Sequence, residues 1–228
     1  MLRVENICKR FNDKKILSNM SFLLKENEIL GVSGVSGIGK STLAKILVNI
    51  EEMDSGRVYY NNELILSNSF SIFQDEKRGK RIRKEIQYIF QNPYSSLDKK
   101  QRIGRILEES IQVHFSLTKT EVLNKINEFL NKCNLTKDIL SKYPQELSGG
   151  ELQRFCITRA LGPKTKYLIA DEITTMLDAL TQVKIWKNLI TTAKEKNIGM
   201  IVVTHNKFLA DRICDRIISL ENLNSMDC

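Results

Sequence analysis

The chain of 228 residues carries 35 lysines and arginines against 27 aspartates and glutamates, a formal net charge of +8 at pH 7, with 42% hydrophobic residues. That length suits one or two domains, can bury a core without disulfide staples, and has a composition far from collagenous or disorder-prone chains. The charge by itself leaves nucleic acid, an anionic membrane face and phosphate ligands open as partners.

No stretch approaches the roughly 18 consecutive apolar residues of a membrane-spanning helix, and the opening MLRVENICKR lacks the apolar core of a signal peptide, so a cytosolic chain is expected. Five cysteines, Cys8, Cys133, Cys156, Cys214 and Cys228, are scattered singly, and the two histidines are His114 and His205. That spacing does not suit zinc or iron-sulfur, and the thiols are expected as small, mostly buried residues. Only three prolines occur, Pro93, Pro144 and Pro163, with neither a linker nor a repeat to divide the chain.

In chain order, the first buried strand is expected at Ile29 to Val32, an apolar run bounded by turn residues. It runs directly into GVSGIGKST, residues 34 to 42, which fits G-x-x-x-x-G-K-[ST] with Gly34, Gly39, Lys40 and Ser41 in place. The apolar helix LAKILVNI follows, completing the strand, loop and helix that a phosphate loop requires. Its glycines let successive N–H groups turn inward, so that the backbone of Gly34, Val35, Ser36, Gly37, Ile38, Gly39 and Thr42 would cradle phosphate oxygens beside the positive helix end. Lys40 would reach the β- and γ-phosphates and the Ser41 hydroxyl would ligate magnesium, which makes a nucleoside triphosphate site with Mg2+ the expected chemistry.

Further on, Lys77 to Lys84 (KRGKRIRK) holds six basic residues in eight and reads as a solvated loop, with contact to phosphate or lipid headgroups as the alternative. A second buried strand is expected at Ile86 to Phe90. From about 95 to 160 the chain reads as helix, with a stripe of Val122, Ile126, Phe129, Leu130 and Cys133 opened by a Thr118–Glu121 capping box. Ser148 and Glu151 form a second such box ahead of ELQRFCITRAL, which on its own marks a plain helix start. Strands follow at Tyr167 to Ala170, Met200 to Thr204 and Arg216 to Leu220. The first of these ends in Asp171 and Glu172, placed so that Asp171 would hold magnesium through its water shell and Glu172 would act as the base on an attacking water. Acids often end strands, and it is the pairing with the phosphate loop that gives these two their chemical reading.

The octapeptide LSGGELQR, residues 147 to 154, together with Gln91 and His205, resembles the ABC-type ATPases, and the resemblance extends over nearly the whole chain. Six elements stand in that family's order: the phosphate loop, Gln91, LSGGE, the acids 171 and 172, Asp178 in TTMLD, and His205 in VVTH. The resemblance implies an α/β fold: a P-loop NTPase core of the ABC type with an antiparallel β subdomain and an inserted helical subdomain. It is expected as a single domain over 1–228, with 1–91 and 161–228 as the core and about 92–160 as the helical part. It also implies that Ser148, Gly149 and Gly150 contact the γ-phosphate of ATP bound on a partner subunit, and that Gln91 senses magnesium and water. Asp178 would line the dimer interface, His205 would contact the γ-phosphate, and Phe11 would stack on adenine, with a core aromatic as the alternative for Phe11. Lys40, Glu172 and His205 would then be the catalytic set, working through nucleotide-driven dimer closure.

The segment IFQNPYSSLD is similar to the second ATPase subunit of bacterial peptide and nickel importers, and the short end after RIISL favours the nickel or metallophore type. This implies a heterodimer with a second ABC ATPase, two transmembrane permeases, an extracytoplasmic binding protein, and a peripheral place on the cytoplasmic membrane face. No nucleic-acid partner is expected. The alternatives are a soluble ABC ATPase acting on nucleic acid or ribosomes, or the ATPase subunit of a cytosolic enzyme complex. Three positions depart from the family pattern: Asn27 in place of glycine, Val35 where glutamate is frequent, and Ile173 in place of proline, which frees the backbone beside Glu172.

Overall fold

The computed structural model describes residues 1–115, 117–174 and 177–221, the side chain of His114 excepted. Cys228, and Thr175 and Met176 of the TTMLD segment, lie outside the described residues. The elements in the first part of the chain are β1 (Leu2–Phe11), β2 (Lys14–Leu24), β3 (Ile29–Ser33), α1 (Lys40–Leu47), β4 (Ser55–Tyr60), β5 (Glu63–Ser67), β6 (Phe70–Ser71), α2 (Glu76–Glu85) and β7 (Ile86–Ile89). Then come α3 (Ile103–His114), α4 (Lys119–Cys133), α5 (Gly149–Ala160), β8 (Tyr167–Asp171), α6 (Ala179–Glu195), β9 (Gly199–Val203), α7 (Lys207–Ile213) and β10 (Arg216–Ser219). They form two compact units, one of Met1–Tyr88, Lys166–Glu172 and Ala193 onward, the other of Ile89–Thr165 and Ile173–Thr192.

The first unit holds two sheets. One has the order β10-β3-β9-β8-β7, with β10, β3, β9 and β8 paired in parallel. Every residue of β8 and β9 is buried, and this is why YLIAD and GMIVV read as unbroken apolar runs: a parallel sheet is covered on both faces. Parallel strands bring their carboxyl ends to one edge, where ligands of open α/β sheets bind. The phosphate loop, Asp171 and the segment that leads to His205 leave the sheet at that edge.

The other sheet, β2-β1-β4-β5-β6, is antiparallel in its pairings. Its inward residues Leu2, Val4, Ile7, Leu17, Met20 and Val58 join the same core as Leu30, Val32, Ile169 and Ile201. Residue-level patterning does not reveal these strands, and the register explains why. Breaks between Val4 and Ile7 and between Ile7 and Lys9 interrupt the alternation on which strand recognition depends.

The basic run at 77–84 is not a loop. It lies within α2, capped by Asp75, whose side chain accepts from the Arg78 N–H at 2.8 Å. Only Ile82 anchors it among apolar neighbours, fully buried, so no apolar periodicity announces the helix. Side-chain pairs supply the rest: Arg78 and Arg81 both bind Glu63, Lys80 binds Glu76, and Arg83 donates to the Phe73 carbonyl at 2.9 Å.

In the second unit α3, α4 and α5 surround a core of Ile103, Leu107, Ile126, Leu130, Leu152 and Phe155. Both expected capping boxes are present, Thr118 with Glu121 at α4 and Ser148 with Glu151 at α5. Cys133 and Cys156 are buried and Cys8 and Cys214 partly so, and none of these four is joined in a disulfide among the described residues. Burial pushes the Cys133 and Cys156 thiols up, which keeps them protonated.

Candidate nucleotide site

The loop between β3 and α1 turns through Gly39 at φ 116°, a conformation that L side chains rarely adopt. A Cβ there would also lie 2.6 Å from Ile16 Cγ2, so both backbone and space demand glycine. Immediately after it, Lys40 is 4% exposed, and its Nζ donates to the carbonyls of Gly34 at 2.9 Å and Val35 at 3.0 Å. The ammonium is therefore drawn back over its own loop. No side chain caps α1 at Gly39, so the first-turn N–H groups keep their capacity to meet an anion. The Val35 N–H donates to Glu221 Oε1 at 3.1 Å, a contact that ties the loop to the second residue after β10.

At the end of β8, Asp171 is 2% exposed and receives one hydroxyl on each oxygen. Ser41 Oγ donates to Oδ1 at 2.9 Å and Tyr88 OH donates to Oδ2 at 2.6 Å. Burial pushes the Asp171 carboxyl up, while these two bonds and the more distant Lys45 pull it down; the neighbouring Glu172 charge adds to the upward push. Burial and the Asp171 charge likewise raise the Tyr88 phenol, which holds it as a donor. A buried carboxylate that accepts from two hydroxyls, one of them the phosphate-loop serine, is a set of hard oxygens that fits magnesium, an ion usually held by one or two side chains together with substrate phosphates.

Glu172 follows with φ 47°, a left-handed conformation unusual for this residue type, secured by its N–H donating to the Val203 carbonyl at 3.0 Å. Its Oε1 lies 3.0 Å from His205 Nδ1, with the glutamate side chain 14% exposed and the imidazole 55% exposed. The structure thus pairs Ser41 with Asp171 and Glu172 with His205, and places these four and Lys40 in one unit. Phe11, at the end of β1, is 43% exposed and not a core aromatic; the Lys9 ammonium sits 4.9 Å from its ring centroid.

Gln91, Ser148, Gly149, Gly150 and Asp178 belong to the second unit. Ser148 Oγ donates to Glu151 Oε2 at 2.6 Å, and Asp178 Oδ1 accepts from the Thr181 N–H at 3.0 Å, which makes it a cap for the start of α6. A Cβ added at Gly149 would meet nothing within 4 Å, so the packing of this chain does not call for that glycine.

Sequence reasoning missed Tyr88 and Glu221. A phenol inside the expected buried strand IQYIF was the available signal for Tyr88; for Glu221 there was none. Of the departures, Asn27 adopts φ 59°, the left-handed region that asparagine tolerates better than most residues, so it serves where glycine is usual. Val35 is exposed and Ile173 is buried.

Residues 17–175 match the family model described as ABC transporter. The chain is 33% identical over 207 residues to the nickel import ATP-binding protein NikE of Escherichia coli (strain K12), covering 91% of this chain and 75% of that protein. Among solved structures, it resembles the ATP-binding cassette MJ0796 in a dimeric post-hydrolysis state bound to ADP and Pi, with a TM-score of 0.81 and 28% identity over 96% of this chain and 94% of that one. It also resembles cbiO1 of Clostridium perfringens, part of the ABC transporter complex cbiONQ, with a TM-score of 0.76 and 26% identity over 96% and 83% of the two chains.

Proposed function

The chain belongs to the family of ABC transporter ATPases, which bind and hydrolyse ATP, and from that premise we propose that it energises a bacterial importer of nickel, metallophore or peptide cargo. The observation that carries the catalytic part is the meeting of the Ser41–Asp171 and Glu172–His205 pairs with the phosphate loop at the carboxyl ends of adjacent parallel strands. Lys40 would exchange its carbonyl partners for phosphate oxygens. Magnesium, when bound, neutralises charge shared by the β- and γ-phosphates; Ser41, Asp171 and Gln91 are the residues assigned to it. Glu172 would take the proton of the attacking water, and His205, hydrogen-bonded to its carboxylate, would orient it and reach the γ-phosphate. Phe11, exposed and backed by Lys9, suits stacking on adenine.

The open surroundings of Gly149 favour a role outside this chain's own packing: Ser148, Gly149 and Gly150 would close on nucleotide held by a second ABC ATPase, with Asp178 at the same interface. Closure of that dimer would drive two permeases served by an external binding protein, and no helix among the described residues is long and apolar enough to cross a membrane. We assign the chain on this basis to the cytoplasmic membrane face, as one domain with the helical part near 92–160.

Replacing Glu172 by glutamine tests the chemistry. ATP affinity measured by calorimetry should persist while phosphate release falls at least ~100-fold; hydrolysis near the parent rate would remove Glu172 from its role. Uptake of nickel against peptide in cells carrying the same substitution identifies the cargo.

A further inference from the structure

We propose that Tyr88 is a positioning residue for the magnesium carboxylate, holding Asp171 from the side opposite Ser41. A carboxylate swings easily about its last bond, since such terminal torsions have broad, two-fold profiles. Here the two oxygens are held by different donors, Ser41 Oγ on Oδ1 at 2.9 Å and Tyr88 OH on Oδ2 at 2.6 Å, and together they define the carboxylate plane. The donors are not equivalent. Ser41 belongs to the phosphate loop and is itself assigned to the metal, so its oxygen must serve two partners. Tyr88 comes from β7, at the opposite side of β8 from β9, and its hydroxyl has no other assignment in the reaction.

Burial reinforces the arrangement. Asp171 is almost sealed from solvent, and without hydroxyl donors its charged form would lose hydration with little return. Losing a partner behind a metal ligand typically costs about 10- to 100-fold in metal affinity. Tyr88 also stands three residues before Gln91, so the strand that orients one assigned metal residue continues directly into the segment that carries another.

The inference rests on the ATP–magnesium reading, and the experiment separates the two. ATP affinity of the full chain is measured by calorimetry across a magnesium titration and again in EDTA, for the parent and for Tyr88→Phe, Tyr88→Met and Tyr60→Phe. Tyr60→Phe removes a different buried hydroxyl from the same core cluster and serves as the packing control. Both Tyr88 variants should bind ATP in EDTA as the parent does, but need about tenfold more magnesium to reach half of the metal-dependent gain. Tyr60→Phe should follow the parent. A Tyr88→Phe chain with the parent's magnesium midpoint overturns the role of Tyr88 while leaving the ATP reading intact, and so does an equal shift in Tyr60→Phe. A parent chain that gains nothing from magnesium overturns the metal site and the Tyr88 role together.

Discussion

Lys40 is nearly sealed from solvent, and its ammonium donates to two carbonyls of its own loop. Phosphate oxygens are far stronger acceptors for a cation than neutral carbonyls, so the side chain is poised to exchange partners. Lys40→Ala should weaken ATP affinity at least about tenfold, the scale of one charge-assisted hydrogen bond, read by calorimetry at fixed magnesium. Residues of this kind were legible in the sequence because loop, lysine and serine are contiguous. Tyr88 and Glu221 were not, because their partners lie 83 and 186 residues away and only folding makes them neighbours. The left-handed turn at Glu172 belongs with them: no neighbouring glycine or asparagine marks it, and the backbone bond to Val203 on the adjoining strand secures it.

Single elements divide in the same way. The helix start at Ser148 was readable because a capping box is a local pattern, and the structure returns it with both reciprocal bonds. The Ser148 side chain and N–H hold the Glu151 carboxyl below its ordinary value of 4.5. A carboxylate depressed on folding stabilises the protein above its ordinary pKa, and that contribution is lost as the pH falls through the depressed value. Ser148→Ala should therefore cost about 1 kcal/mol in urea unfolding near pH 7. The gap to the parent should narrow steadily below pH 4.5; a gap unchanged in acid would count against the capping box as its source. The helix α2 escaped notice for the opposite reason. Its stability comes from Glu63, Asp75 and a single buried isoleucine, two of which lie outside the run itself. Ion pairs also absorb three of its six basic residues, which weakens any reading of that segment as a free cationic surface for nucleic acid.

For the whole molecule, the proposed division of labour is between residues that would serve this chain's own nucleotide and residues that would serve a partner's. Gly149 decides between them, because it can be enlarged without an internal clash. Gly149→Asp should leave thermal melting and ATP affinity of the isolated chain near parent values while steady-state hydrolysis by the assembled ATPase pair falls ~100-fold, the scale of losing one preorganised charge-stabilising group. Weakened ATP binding by the isolated chain would instead put the LSGGE segment at its own phosphate loop. Of the cationic groups behind the net charge of +8, Lys40 sits at the phosphate loop and Arg78, Lys80 and Arg81 of α2 are engaged by Glu63 and Glu76.

The sequence by itself determined the family, the ATP chemistry, the buried strands of the α/β core and the helical stretch from about 95 to 160, because each rests on contiguous residues: a phosphate loop, the LSGGE motif, continuous apolar runs and a 3.6-residue stripe. Only the tertiary structure decided that the N-terminal strands are broken by register shifts, that the basic run is a helix, and that Asp171 is held from two sides by Ser41 and Tyr88. These depend on groups far apart in the chain meeting in a place that water has left, where an unpaired hydroxyl or carboxylate is costly and each must find its partner.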